Sequence, residues 1–207
     1  MKKRFKGKYR IDSMQKQYWN YAWCGKYFIT LVLKNRTHWF GEIIDEKMHL
    51  SEMGKIAKEE WEQTLEIRRD MNIKLDTFQV MPDHFHAIIE IGKNPYNLFI
   101  NEISFSKALL DSSDKHGFSI DIIKSSMNPK SEFGPQRKNL SSIIRGFKSA
   151  VTIRCREINP NFAWLSGYHD ELISNDKALE NIRRYIRNNP KNLGEKQNIS
   201  SYHRRRA

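Results

Sequence analysis

The sequence predicts an α+β fold in which helices cover an antiparallel sheet. Short runs rich in β-branched and aromatic residues are separated by longer segments in which apolar residues recur at helical spacing. Two of the short runs follow each other directly across a Pro-Asp pair, as expected for antiparallel strands joined by a tight connection. The order of elements is strand, helix, paired strands, helix, strand, helix, which favours an α+β sandwich.

The first strand and the first helix have clear sequence signals. Residues 27–33, Tyr-Phe-Ile-Thr-Leu-Val-Leu, predict a buried central strand. Ser51 can cap a helix that ends near Asp70. The apolar face of this helix is predicted to contain Met53, Ile56, Ala57, Trp61, Thr64 and Leu65.

The paired strands occupy residues 75–80 and 84–91, and Pro82 and Asp83 lie in the connection. Residues 92–139 lack a sustained pattern and are interpreted as an insertion, not as a second domain.

A second amphipathic helix begins at Leu140, and Arg145, Lys148 and Arg156 lie opposite its apolar stripe. The stripe consists of Leu140, Ile143, Ile144, Phe147, Val151, Cys155 and Ile158. A last strand is predicted over residues 168–173. A last helix begins at Asn175 or Asp176 and is expected to stop at the Asn189-Pro190 pair.

Composition limits the class of protein. The 207 residues favour one domain, and 36 Lys and Arg against 24 Asp and Glu give a net charge of +12, which favours an anionic partner such as nucleic acid. Cys24 and Cys155 stand too far apart in sequence to indicate a disulfide framework or a zinc ribbon. With no signal peptide and no apolar run of about 18 residues, a cytoplasmic protein without membrane attachment is expected. The basic ends, residues 1–10 and 203–206, are interpreted as solvated tails, with phosphate contacts as the alternative.

A His-x-His pair marks a candidate metal site. On a strand, His84 and His86 point to the same face about 6.6 Å apart, and Phe85 points to the other. Buried imidazoles need polar partners, and one divalent ion would serve both. The alternative is that each imidazole is hydrogen-bonded at a sheet edge.

The last helix carries a candidate nucleophile. Tyr185 lies at the edge of its apolar arc, and Asn189 lies inside the arc one turn later. The arc itself contains Ala178, Leu179, Ile182 and Ile186, and the rest of the surface carries Arg183, Arg184 and Arg187. These arginines are candidate phosphate ligands. The alternatives are a phenol in water, an asparagine that ends the helix, and arginines paired with Glu180.

The two elements would form one active site if they met. A divalent ion on His84 and His86 would polarise a phosphodiester while the Tyr185 oxygen attacks phosphorus. The amide oxygen of Asn189 suits magnesium or manganese as a third ligand.

These motifs together resemble the HUH single-tyrosine transposases, and more closely their REP-associated tyrosine transposase branch. The segments that carry the resemblance span most of the chain: Tyr27-Phe28-Ile29-Thr30, Met81-Pro82-Asp83-His84-Phe85-His86, Phe147-Lys148-Ser149-Ala150, Tyr168-His169-Asp170, and Arg183-Arg184-Tyr185-Ile186 with Asn188-Asn189-Pro190. The chain departs from the pattern at Asp83, where the family usually has Asn, at Ala87, where it has Gly, and at Glu171-Leu172-Ile173-Ser174, where it commonly has His-Ile-Ile-Arg. Asp83 and Glu171 add negative charge to the region of the expected site.

The resemblance implies a ferredoxin-like, RRM-like sandwich with the His-x-His pair on a central strand and the tyrosine on a C-terminal helix. It also implies a divalent metal, Mg²⁺ or Mn²⁺, on His84 and His86, completed by Asn189. Tyr185 would attack single-stranded DNA at hairpin-forming repeats and form a 5′-phosphotyrosine, without ATP. Arg145 and Lys148, with the three arginines of the last helix, are candidate DNA contacts.

Two alternatives stay open at this stage. A replication-initiator-like nickase would use the same chemistry on another DNA substrate. A non-catalytic binder of hairpin DNA or RNA would use Tyr185 only to stack on a base. Both a monomer and a homodimer agree with the sequence.

Overall fold

The computed structural model describes residues 22–97 and 137–204 and two short strands near the N-terminus, with side chains described for 22–97 and 137–193. The strands are β1 (Arg4–Phe5), β2 (Tyr9–Arg10), β3 (Gly25–Val32), β4 (Gly41–Ile44), β5 (Lys47–Leu50), β6 (Ile73–Val80), β7 (His84–Ile91) and β8 (His169–Ile173). The helices are α1 (Glu52–Ile67), α2 (Leu140–Ile158) and α3 (Asp176–Arg204). Most of the predicted insertion and the side chains of both basic ends lie outside the described residues.

Four strands form an antiparallel sheet in the order β6-β7-β3-β8. With α1 between β3 and β6 and α2 between β7 and β8, this is the split βαβ arrangement of ferredoxin-like folds. The sequence prediction of the fold is confirmed, and the His-x-His strand β7 is central, between β6 and β3. β4 and β5 form a separate hairpin.

One face of the sheet packs against α1 and α2. Each helix begins as predicted, because the side chain of Ser51 accepts a hydrogen bond from the amide of Gly54 and that of Asn139 accepts one from Ser142. Side chains of α1, β7 and α2 meet in an aromatic cluster of Trp61, Phe85 and Phe147 with ring centroids 5.2 Å apart.

Two residues predicted to lie in this core are exposed. Leu65 is 38% exposed because it lies about 120° around α1 from Met53, outside the buried arc. Ile158 is 42% exposed because it is the last residue of α2, beyond the last buried position, Cys155.

The opposite face of the sheet is covered by α3 alone among the described helices. Ile88 of β7 packs there against Leu179 and Ile186 in a small apolar cluster, to which Phe28, Ile173 and Ile182 add partly buried area. The amide of Ala178 donates to the side chain of Asn175, which caps the helix as predicted.

The predicted stop at Asn189-Pro190 is wrong, since α3 continues to Arg204. A proline inside a helix removes the hydrogen bond to the carbonyl four residues earlier. Here Asn189 and Pro190 are buried, and Lys191 approaches Glu46 of the β4–β5 hairpin at 4.0 Å. The helix thus contacts the hairpin at the point where the proline interrupts its hydrogen bonding. No helix in the described ranges is long and apolar enough to span a bilayer.

Candidate active site

The two histidines of β7 lie on the sheet face covered by α3. Their imidazole centroids are 4.6 Å apart, and His84 and His86 are only 8% and 4% exposed. Phe85, between them in sequence, points to the other face and packs on Trp61. The predicted alternation is therefore confirmed, and the histidines are on a central strand and not at a sheet edge.

Each imidazole has its Nδ1 atom held by an oxygen. Nδ1 of His84 lies 2.5 Å from Oδ1 of Asp83, and Nδ1 of His86 lies 2.9 Å from the hydroxyl of Thr30 on β3. Arg36 donates to the second oxygen of Asp83 at 3.3 Å. Metal-binding histidines commonly have this arrangement, in which a partner on one nitrogen fixes the ring and leaves the other for the ion. Asp83, a departure from the family pattern, thus orients His84.

The electrostatics keep His86 neutral. Burial lowers the pKa of His86 to about 3, with a further contribution from neighbouring His84. Burial by itself raises the pKa of Asp83, but the hydrogen bond to His84 and the charge of Arg36 outweigh it and hold that pKa below its ordinary value. The neutral form of an imidazole is the one that binds a divalent ion.

Tyr185 of α3 reaches this histidine pair. Its hydroxyl lies 3.4 Å from Nε2 of His86, the nitrogen that does not face Thr30, and the two ring centroids are 5.3 Å apart. Phe28 stacks on His86 and meets the tyrosine edge-on at 6.1 Å. Tyr185 is nevertheless 47% exposed, so the residue contacts the imidazole and also borders solvent. The structure brings together the two elements that the sequence analysis linked.

Asn189 lies one turn after Tyr185 and is 8% exposed. No cluster of three or more histidine, cysteine, aspartate or glutamate side chains suited to a metal occurs in the described part of the chain. A buried amide and two imidazoles whose Nδ1 atoms are held by oxygens are ligand types that suit a magnesium or manganese ion.

The arginines of α3 differ in their surroundings. Arg183 forms a two-pronged ion pair with Asp76 of β6. Arg187 lies 3.8 Å from Glu180, the pairing that the alternative interpretation anticipated, and Arg184 is exposed. Sequence analysis missed Asp76, whose only local signal is an Asp-Thr pair that interrupts the strand alternation.

The two candidate DNA contacts on α2 also differ. The ammonium group of Lys148 donates to the carbonyl oxygens of Leu165 and Gly167 at 2.8 and 2.9 Å, and burial lowers its pKa. It thus fastens the loop before β8. Arg145 is exposed and lines a cavity of about 420 Å³ whose other basic residues are Arg68, Arg137 and Lys138.

The structure combines a ferredoxin-like fold with two strand histidines that face a helix tyrosine. This combination can be compared with known proteins. No family model matches the chain. An uncharacterized protein of Haemophilus influenzae is 29% identical over 179 residues, which cover 86% of this chain and 87% of that protein.

A solved REP-associated tyrosine transposase bound to a REP hairpin has the same fold. It aligns with a TM-score of 0.51 and 17% identity over 87% of this chain and 75% of its own. The resemblance seen in the sequence is thus confirmed at the level of the fold. A candidate transposase from Deinococcus radiodurans aligns with a TM-score of 0.37 and 14% identity over 84% of this chain and 97% of its own, too distant to support an argument.

Proposed function

We propose that the protein is a transposase of the HUH single-tyrosine kind, a metal-dependent endonuclease and strand transferase acting on single-stranded DNA at hairpin-forming repeats. The observation that carries the proposal is the 3.4 Å approach of the Tyr185 hydroxyl to Nε2 of His86. It joins a potential nucleophile to a potential metal site. The sequence motifs and the shared fold of a hairpin-bound transposase support the same assignment.

The chemistry assigned to Tyr185 is an attack on a backbone phosphorus. A bond forms between the phenolic oxygen and phosphorus, and the bond from phosphorus to the 3′-oxygen breaks. The phenol loses its proton, and the departing 3′-oxygen takes one up. The products are a 5′-phosphotyrosine and a free 3′-hydroxyl, so the bond energy is conserved for rejoining without ATP.

His84, His86 and Asn189 would hold Mg²⁺ or Mn²⁺. A bound ion supplies a Lewis acid for the non-bridging phosphate oxygens. Asp83 and Thr30 fix the imidazole orientations from the Nδ1 side, and the burial of His86 keeps it unprotonated and able to donate its lone pair.

The proposed partner is DNA, met in the cytoplasm. A net charge of +12 favours a polyanion, and exposed Arg184 and Arg187 flank Tyr185 on α3. Arg145 and its basic neighbours offer a second region for backbone phosphates.

A covalent capture experiment tests the proposal. Hairpin oligonucleotides with single-stranded flanks, labelled at the 3′ end, are incubated with the protein and Mn²⁺, and labelled protein is sought on a denaturing gel. The wild type should give an adduct that Tyr185→Phe abolishes. Tyr96→Phe is the matched control, because Tyr96 is similarly exposed, at 43%, but donates its hydroxyl to Asp70.

Each alternative gives a different outcome. A non-catalytic binder would shift the hairpin on a native gel without any adduct. A nickase of the replication-initiator kind would form the adduct equally well on unstructured strands. The absence of adduct with every hairpin, including those that flank its gene, would contradict the transferase assignment.

A further inference from the structure

Arg183 joins the tyrosine helix to the edge strand of the sheet. Its Nε atom donates to Oδ1 and Oδ2 of Asp76 at 3.0 and 3.2 Å, and Nη2 donates to Oδ2 at 2.5 Å. The partners are 107 residues apart in sequence, and their side chains are 32% and 21% exposed. A two-pronged guanidinium–carboxylate pair restricts orientation as well as distance.

Asp76 is also held by contacts with its neighbour in β6. Its Oδ1 atom accepts hydrogen bonds from the amide of Thr77 at 2.6 Å and from the Thr77 hydroxyl at 3.1 Å. The pairing of β6 with β7 is irregular here, with a register shift between Leu75 and Phe78. Bulges of this kind re-aim side chains next to functional sites. The carboxylate of Asp76 therefore has a defined position on the sheet.

Arg183 and Tyr185 flank the buried arc of α3 on opposite sides. At 3.6 residues per turn they lie about 160° apart around the helix, with buried Ile186 between them. Arg183 contacts β6, at the edge of the sheet, whereas Tyr185 contacts His86 and Phe28 in its middle. Any rotation of the helix about its axis would move both side chains together.

The apolar contact between α3 and the sheet is small. Leu179 and Ile186 of the helix are buried with Ile88 in the cluster beneath it, and Phe28, Ile173 and Ile182 add partly buried area. Specific polar contacts therefore add to the orientation of the helix, and among the described contacts between α3 and the sheet the Arg183–Asp76 pair is two-pronged and ionic.

We propose that Asp76 and Arg183 are positioning residues that set the rotation of α3 and thereby hold the Tyr185 oxygen beside His86. The inference rests on the proposed function for its catalytic consequence. It also gives a different role to Arg183, a candidate phosphate ligand in the sequence analysis, because its guanidinium group is engaged with a carboxylate of its own chain.

The test compares single-turnover cleavage of the hairpin with hairpin affinity in Asp76→Ala, in the milder Asp76→Asn, and in the charge swap that combines Asp76→Arg with Arg183→Asp. Misplacing a nucleophile by about 1 Å lowers rates by about 100-fold. We therefore expect Asp76→Ala to reduce the cleavage rate by about 10- to 100-fold, with unchanged affinity and a smaller loss in Asp76→Asn. The charge swap should regain most of the rate. Glu180→Gln is the matched control, since it removes a carboxylate 3.6 Å from Arg183 within α3 and leaves the link to the sheet intact.

If Arg183 is a DNA ligand instead, the charge swap will bind the hairpin more weakly than Asp76→Ala does and will not regain the cleavage rate, which overturns the proposal. A second measurement does not depend on catalysis. Amide hydrogen exchange over residues 179–190 should be faster in Asp76→Ala and unchanged in Glu180→Gln. Unchanged exchange in Asp76→Ala overturns the positioning role even if the wild type forms no DNA adduct, so failure of this inference is distinguishable from failure of the proposed function.

Discussion

The hydroxyl of Tyr185 lies 3.4 Å from Nε2 of His86, although 99 residues separate them in sequence. The strand alternation that sends Phe85 into the core on one face of the sheet sends the two histidines to the other, where α3 lies. Thr30 and Asp83 hold the Nδ1 atoms, so the remaining nitrogen of His86 faces the phenol. The candidate site is therefore formed by side chains of β7 and α3, two segments that are distant in sequence, and neither segment contains the site alone.

Removing the partner of His84 should weaken metal binding. Asp83→Ala leaves the Nδ1 atom of His84 without its carboxylate, and the loss of such an outer partner typically lowers metal affinity by about 10- to 100-fold. Calorimetric titration with Mn²⁺ measures the effect. Asp45→Asn, at an exposed position in the β4–β5 turn, is the control and should bind as the wild type does. Equal affinities in all three proteins would show that Asp83 does not support a metal ligand.

Arg145 and Lys148 should differ in their effect on DNA binding. Arg145→Ala removes an exposed charge beside a basic cavity and should reduce the salt dependence of hairpin binding by about one phosphate contact. Lys148→Ala should leave that slope unchanged and lower thermal stability instead, because its ammonium group binds the carbonyls of Leu165 and Gly167. Binding curves at several salt concentrations separate the two. If the salt dependence of hairpin binding changed only in Lys148→Ala, Lys148 and not Arg145 would be the DNA contact.

The Asp76–Arg183 pair should contribute stability that disappears in acid. The hydrogen bond from Arg183 lowers the pKa of Asp76 below its ordinary value of 3.8. The contribution of the pair to stability is therefore complete above pH 3.8. It is lost as the pH falls through the lowered pKa of Asp76 in the native protein. Asp76→Ala should lower stability at neutral pH by the small amount typical of a solvent-screened pair. Urea denaturation at neutral pH and in acid measures this cost, and a cost that persists once Asp76 is protonated would contradict the ionic origin.

The thiol of Cys155 should be unreactive in the folded protein. Burial raises its pKa to about 12, so almost none of the reactive thiolate is present at neutral pH. We expect alkylation by iodoacetamide to modify Cys155 only after unfolding, as read by mass spectrometry of its peptide. Modification of Cys155 in native protein at the rate seen in denaturant would show that α2 is not packed as described.

Local patterns in the sequence were sufficient for the four strands of the main sheet, the helix starts and the shared face of the histidines, but the β4–β5 hairpin was not predicted. The caps at Ser51 and Asn139 act within three residues, and the alternation in β7 is a property of any strand. The continuation of α3 through Pro190 was not predictable, because a local pattern does not show that the helix meets the distant β4–β5 hairpin at this point.

The contacts of the basic residues could not be predicted from the sequence either. Arg183 and Lys148 were candidate DNA contacts, but their partners, Asp76 and the loop carbonyls of Leu165 and Gly167, are identified only once the chain is folded. The same holds for Thr30, whose hydroxyl reaches His86 from the neighbouring strand.

The most direct test of the central claim is to locate the covalent bond. After reaction with a hairpin substrate in Mn²⁺ and digestion by nuclease and protease, tandem mass spectrometry should find a phosphonucleotide on the Tyr185 side chain, and none in His86→Ala or in protein treated with a chelator. A phosphonucleotide on a different residue, or an adduct of undiminished yield in His86→Ala, would contradict the assignment of Tyr185 and the histidine pair to one catalytic site.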